Sequence, residues 1–178
     1  MFRMNAMKQL GSGLFDAKRH EDALSVREAE LSMARRLGAQ EEHILAVQGN
    51  LASSYTKMGR LEQALQMDRD IYHGRVKLEG QESEKTLKAA GNYACSLLYL
   101  SCFQEAKPVL RRTIPIARRA LGESDNTTLR MRKIYAEALY TDDDATLDDL
   151  REAVTTLEDT VRIARRVLGG AHPLVTSM

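Results

Sequence analysis

The chain has 178 residues, 43% of them apolar and 29% charged, which is enough apolar material for a sizeable core. A net charge of +1 gives no global electrostatic reason to bind nucleic acid or an anionic membrane surface. No run of about 18 apolar residues exists to cross a bilayer as a helix. Ala, Leu, Glu, Arg, Lys, Gln and Met dominate and β-branched runs are missing, so the predicted fold class is all-α. Met1-Phe2-Arg3-Met4-Asn5 lacks the apolar core of a signal peptide. Cys95 and Cys102 form neither a CxxC pair nor a metal pattern, which points to a reduced, cytoplasmic setting.

In chain order the sequence divides into four paired-helix units, at about 5–38, 42–80, 84–122 and 126–169. The first carries Gly11 and Gly13 inside its first helix, each costing up to about 1 kcal/mol against alanine, which makes that helix the weakest. The second unit predicts a helix over about Glu42–Met58, a break at Gly59 and a second helix over about Arg60–Leu78. In it Leu51, Ala52 and Tyr55, then Leu61, Ala64 and Leu65, set matching apolar faces. Ala52 and Ala64 are small where the two helices cross.

The third unit repeats the second. Gly49-Asn50-Leu51-Ala52 returns as Gly91-Asn92-Tyr93-Ala94, and Ala64 as Ala106, each 42 residues on. Ala136 follows Ala94 by the same 42 within the fourth unit, which carries Ile134 where the earlier units have Asn50 and Asn92. Unit ends share a second landmark: Ala34-Arg35-Arg36-Leu37-Gly38, Ala117-Arg118-Arg119-Ala120-Leu121-Gly122 and Ala164-Arg165-Arg166-Val167-Leu168-Gly169. The last two lie 47 apart, so the fourth unit holds an insertion, read as a solvated turn at Thr141-Asp142-Asp143-Asp144-Ala145-Thr146.

This pattern resembles the tetratricopeptide repeat in its 42-residue, kinesin-light-chain-like form. The match rests on Asn50-Leu51-Ala52, Tyr55, Gly59-Arg60, Glu62 and Ala64, and on the unit-ending Leu-Gly with Ala171-His172-Pro173 after it. Thr86-Leu87 and Thr128-Leu129 fit the openings of the next first helices. The resemblance covers nearly the whole chain. It implies an α-solenoid of about four stacked helix-turn-helix repeats in a right-handed superhelix, one domain over 1–178, standing alone or as a fragment of a longer array.

The resemblance further implies a non-enzymatic scaffold for a protein or peptide partner, held along the face lined by the first helix of each unit. Carried onto this chain, the groove positions are Lys8, Gln9, Asn50, Ser53, Lys57, Lys88, Asn92, Tyr99 and Lys133, with Cys95, Arg130 and Glu137 among their neighbours. The asparagine amides can donate and accept to a partner's backbone, and Gly49 and Gly91 would let it approach closely. Alternatively, Asn50 and Asn92 only tie helices together. Two other readings stand beside the groove. One is a structural or oligomerisation module stacking on another copy beyond Leu168. The other is a carboxylate clamp like that of co-chaperone relatives, for which Lys8, Asn50 and Lys88 fit while Ser12 and Asn92 depart.

No cofactor or metal is expected. His20, His43, His73 and His172 fall in no ligand pattern, and GxSxG, P-loop and GxGxxG motifs are missing. The pairs Arg35-Arg36, Arg111-Arg112, Arg118-Arg119 and Arg165-Arg166 read mostly as charges opposing the negative ends of helix dipoles.

Overall fold

The computed structural model describes residues 2–177. Among them are nine helices and no strand: α1 (Phe2–Asp16), α2 (His20–Arg36), α3 (Glu41–Lys57), α4 (Leu61–Glu79), α5 (Glu84–Tyr99), α6 (Phe103–Leu121), α7 (Asn126–Tyr140), α8 (Leu147–Leu168) and α9 (Pro173–Thr176). The first eight form four helix-turn-helix pairs at the units marked by the repeat, and the fold is all-α. None of the helices is long and apolar enough to cross a membrane.

The turns follow from local chemistry. Gly59 lies at φ 72°, left-handed backbone where a Cβ is penalised, and it separates α3 from α4. Asp125 opens α7 by accepting from the Thr127 amide at 2.8 Å. Thr146 opens α8 through a reciprocal box: its hydroxyl accepts from the Asp149 amide, whose carboxylate accepts from the Thr146 amide. His172 caps α9 through Nδ1, and Pro173 fills the first helical position, where no backbone N–H is needed. α6 continues through Pro108 and Pro115, both exposed, at the loss of one backbone hydrogen bond each.

The chain forms two compact units, Met1–Leu78 and Glu79–Met178. In the first, α2 packs on α1 and α3, and Leu24, Leu31, Val47, Leu51, Tyr55 and Ala64 form the core. α4 lies tight on α3, where a Cβ at Gly74 would fall 2.8 Å from Leu45 Cδ2. In the second, α6 packs on α5 and α7, α7 packs on α5 and α8, and α9 packs on α8. Leu87, Leu97, Leu110, Leu129 and Leu139 are all but fully covered there. Each such leucine contributes about 1.5–3 kcal/mol over its exposed state. Ala52 and Ala64, the small residues expected at the crossing, are buried, and so are Ala94, Ala106 and Ala136, which recur with the repeat.

The insertion lies between α7 and α8, as the repeat spacing requires, but its chemistry differs from the expected solvated turn. Asp142 is buried and accepts from Lys107 Nζ at 2.6 Å and Gln104 Nε2 at 2.9 Å, while its other oxygen accepts from the Asp144 amide. Asp143 and Asp144 alone of the acidic run are exposed. The run looks hydrophilic in sequence because the lysine that buries its first member is 35 residues away.

Candidate interaction groove

One cleft of the second unit is built by residues of four helices. α7 presents Asn126, Arg130, Lys133, Ile134 and Glu137, whose spacing places them along one helix face. α5 supplies Cys95, Leu98 and Tyr99 from its last turns, Phe103 follows at the start of α6, and α9 closes the end with His172, Pro173, Leu174 and Ser177. The cleft holds about 580 Å³, within the range of ligand sites.

Its walls mix apolar surface with fixed charges. Tyr99 is 56% exposed, a large aromatic side chain left open to a partner. The adjoining Cys95 thiol, and then burial, hold its hydroxyl above the ordinary tyrosine pKa; Arg130 pulls the other way and Glu137 adds to the rise. Lys133 donates to Ser177 Oγ at 2.8 Å, so the C-terminal end of α9 orients its ammonium. Aromatic and aliphatic walls with a few convergent charges suit a polypeptide segment better than a small polar substrate.

Of the expected groove residues, Tyr99 and Lys133 line this cleft, together with Cys95, Arg130 and Glu137. Lys88 and Asn92 lie on α5 outside its lining; Lys88 pairs with Glu84 at 2.5 Å, and Asn92 is half-buried. In the first unit Lys8 and Gln9 are exposed on α1, and Lys57 is exposed in the last turn of α3. Ser53 donates back to the Gly49 carbonyl at 3.0 Å. Asn50 is half-buried, and its backbone carbonyl accepts from Arg27 at 2.7 Å.

Gly91 plays a different part from the one expected. It is buried and faces Met131 of α7, where a Cβ would sit in ordinary contact at 3.4 Å from Met131 Cγ, so the position meets a neighbouring helix and not an open groove. Gly49 has open space above it.

The arginine pairs divide. Arg35-Arg36, Arg118-Arg119 and Arg165-Arg166 fill the last turns of α2, α6 and α8, where they oppose the helix dipole. Arg111 sits mid-helix and donates from Nε to the Tyr135 hydroxyl at 2.6 Å, while that hydroxyl donates to Glu152 at 2.7 Å. Burial first, then the bond to Glu152, pushes the Tyr135 pKa up to about 12. This network lines a second, polar cleft of about 460 Å³. There Arg132 lies between Glu123 at 3.6 Å and Asp159 at 3.8 Å. Sequence spacing carries no sign of it, because its members come from three helices. Among the described residues no group of three or more His, Cys, Asp or Glu side chains could hold a metal ion.

Comparison with known proteins places this geometry. A family profile described as tetratricopeptide repeat matches residues 44–84 and 145–174. Two crystal structures of a Podosopora anserina protein, named for its kinesin-light-chain, nearly identical TPR-like repeats, superpose with TM-scores of 0.81 and 0.79. Both are 20% identical, over 98% of this chain and 81% of theirs. BtubC (BKLC) from P. vanneervenii superposes with a TM-score of 0.77 at 18% identity, over 93% of this chain and 65% of its own. No curated sequence matches the chain. Folds of this kind are generally protein–protein interaction scaffolds. Residues 44–84 and 145–174 thus match the tetratricopeptide repeat, and the chain has the fold of the kinesin-light-chain-like repeat structures.

Proposed function

We propose that the chain is a non-enzymatic scaffold that holds a segment of a partner protein in the cleft between α5, α7 and α9. The supporting observation is that Tyr99, left open, and Lys133, held by Ser177, converge on one concave surface with Arg130 and Glu137. Tyr99 and the apolar wall of Leu98, Phe103 and Ile134 supply contact area; the charges fix register and direction. Asn126, exposed at the start of α7, adds an amide that can pair with a partner's backbone.

Panning a random peptide library on the chain tests this. Selected peptides are expected to lose about 10-fold or more in affinity on Tyr99→Ala, with a comparable loss on Lys133→Glu, because truncated anchors cost upward of about 1.4 kcal/mol. Lys8→Ala, in the other compact unit, serves as the control. Peptides that bind the Tyr99→Ala/Lys133→Glu double variant at full strength would place the partner elsewhere.

A further inference from the structure

α8 is the longest helix, and it carries an apolar stripe that the second unit covers only in part, exposed at Leu147, Leu150 and Val154 and half-buried at Leu157 and Val161. Leu147, Leu150, Val154, Leu157 and Val161 alternate steps of three and four residues, the spacing of a coiled-coil seam. Leu147 is 72% exposed and Val154 55%. The seam runs for about 21 Å along the helix. Beyond Val161, Ala164 and Leu168 turn into a cluster with Leu129, Leu174 and Val175, so α9 caps the stripe at that end. The corresponding helix of the preceding unit shows how such a face is normally finished. Leu110, 47 residues before Leu157, is fully buried in α6, which packs on α7.

We infer that this stripe of α8 pairs with the same stripe of a second copy, the two helices antiparallel about a two-fold axis at Val154. The stripe is complementary to its own reverse. Leu147 pairs with Val161, Leu150 with Leu157 and Val154 with itself, and the midpoints of these pairs all fall at or beside Val154. The flanking charges obey the same symmetry: Arg151 and Glu158 border the stripe on one side, and their midpoint also falls beside Val154. Each copy therefore sets Arg151 against the other's Glu158. The helix dipoles agree as well, because antiparallel pairing runs the two α8 macrodipoles in opposite directions, whereas parallel pairing would set like ends side by side. Arg151 bonds Asp148 within its own helix at 3.0 Å, an exposed pair weak enough to be redirected.

Sedimentation equilibrium of the 178-residue chain over a range of concentrations reads the assembly directly. A monomer–dimer equilibrium is expected. Val154→Glu, which sets two carboxylates together at the axis, should weaken it about 100-fold or more. Arg151→Glu and Glu158→Arg should each weaken it about 10-fold, and the double exchange Arg151→Glu/Glu158→Arg should restore it. All three substituted residues lie on exposed surface, and circular dichroism checks that helicity is unchanged. A chain that stays monomeric at every concentration overturns the inference and leaves the stripe to another protein or to further chain. A dimer indifferent to Val154→Glu, or one that the double exchange fails to rescue, overturns it equally. None of these variants touches the α5–α7–α9 cleft, so this result is independent of peptide binding there.

Discussion

Lys18 and Ser101 sit at φ 61° and 57°, in the left-handed region that a Cβ disfavours. They occupy the inter-helix turn of the first and third units, 41 residues before Gly59 and 42 after it, where the second unit has glycine in the same conformation. The turn is thus dictated by the repeat, and only one unit uses the residue that accepts it without strain. Lys18→Gly and Ser101→Gly are each expected to raise stability by about 0.5–1 kcal/mol in urea titration, because the relieved strain exceeds the added chain entropy. Gly59→Ala should lower stability by a similar amount.

Buried polar residues were the least legible feature of the sequence, since their spacing equals that of surface residues. Arg27 is 5% exposed and donates to both the Asn50 carbonyl and Ser54 Oγ at 2.7 Å, with its guanidinium over the Phe15 ring, so it joins three helices. Glu30, one turn on, is fully covered, and neither carboxylate oxygen has a hydrogen-bond partner. Burial raises its pKa, with His43, Lys8 and Arg27 opposing the rise. The native state therefore holds this proton more tightly than the unfolded chain does. The stability linked to it is complete below the ordinary glutamate value of about 4.3 and is lost as pH rises through the native value. Glu30→Gln should accordingly melt a few degrees higher than wild type at pH 7, and the gap should close toward pH 4. A gap that grows on acidification would contradict the burial argument.

At the scale of elements, the repeat period was readable because each unit must present the same small and apolar residues to its neighbours. The insertion was readable as a lengthened spacing, but its anchoring was not. The Lys107–Asp142 pair holds the turn between α7 and α8 against α6, and the bond from Lys107, then that from the Asp144 amide, holds the Asp142 carboxyl below its usual value. A depressed carboxylate stabilises the fold above the unfolded value of about 3.9, and that stability is lost as pH falls through the native value. Asp142→Asn is expected to lower the melting temperature at pH 7 and to matter progressively less below about pH 4. Lys107→Met/Asp142→Asn should recover part of that loss, since it leaves no unpaired buried ammonium. A double variant no more stable than the single would show that the pair does not couple.

The cleft shows the same division between what a repeat transmits and what it does not. Tyr99, Arg130, Lys133 and Glu137 could be located because equivalent positions recur in each first helix. Phe103 comes from the first turn of α6 and Leu174 from α9, and both enter the lining through packing that no period encodes.

For the molecule as a whole, each helix depends on the neighbours that cover it, so stability should vary along the chain and not rise or fall as a block. α5 and α7 each bury nine residues, whereas Gly11 is the one buried position among the described residues of α1. α1 also carries two of the least helix-favouring residues, Gly11 and Gly13. Hydrogen exchange followed by mass spectrometry should find α1 amides protected at least about 10-fold less than those of α5 and α7, a difference of about 1.4 kcal/mol in opening free energy. The two glycines should then respond differently to alanine. Gly13 has nothing within 4 Å of a built Cβ, so Gly13→Ala is expected to slow exchange across α1 by about 0.5–1 kcal/mol through helix propensity alone. At Gly11 the new methyl meets Arg27 Cγ at 3.3 Å, crowding the side chain that binds α3, and the propensity gain should be largely cancelled. Equal slowing by both substitutions would mean that Arg27 yields freely and does not set the spacing of α1 on α2.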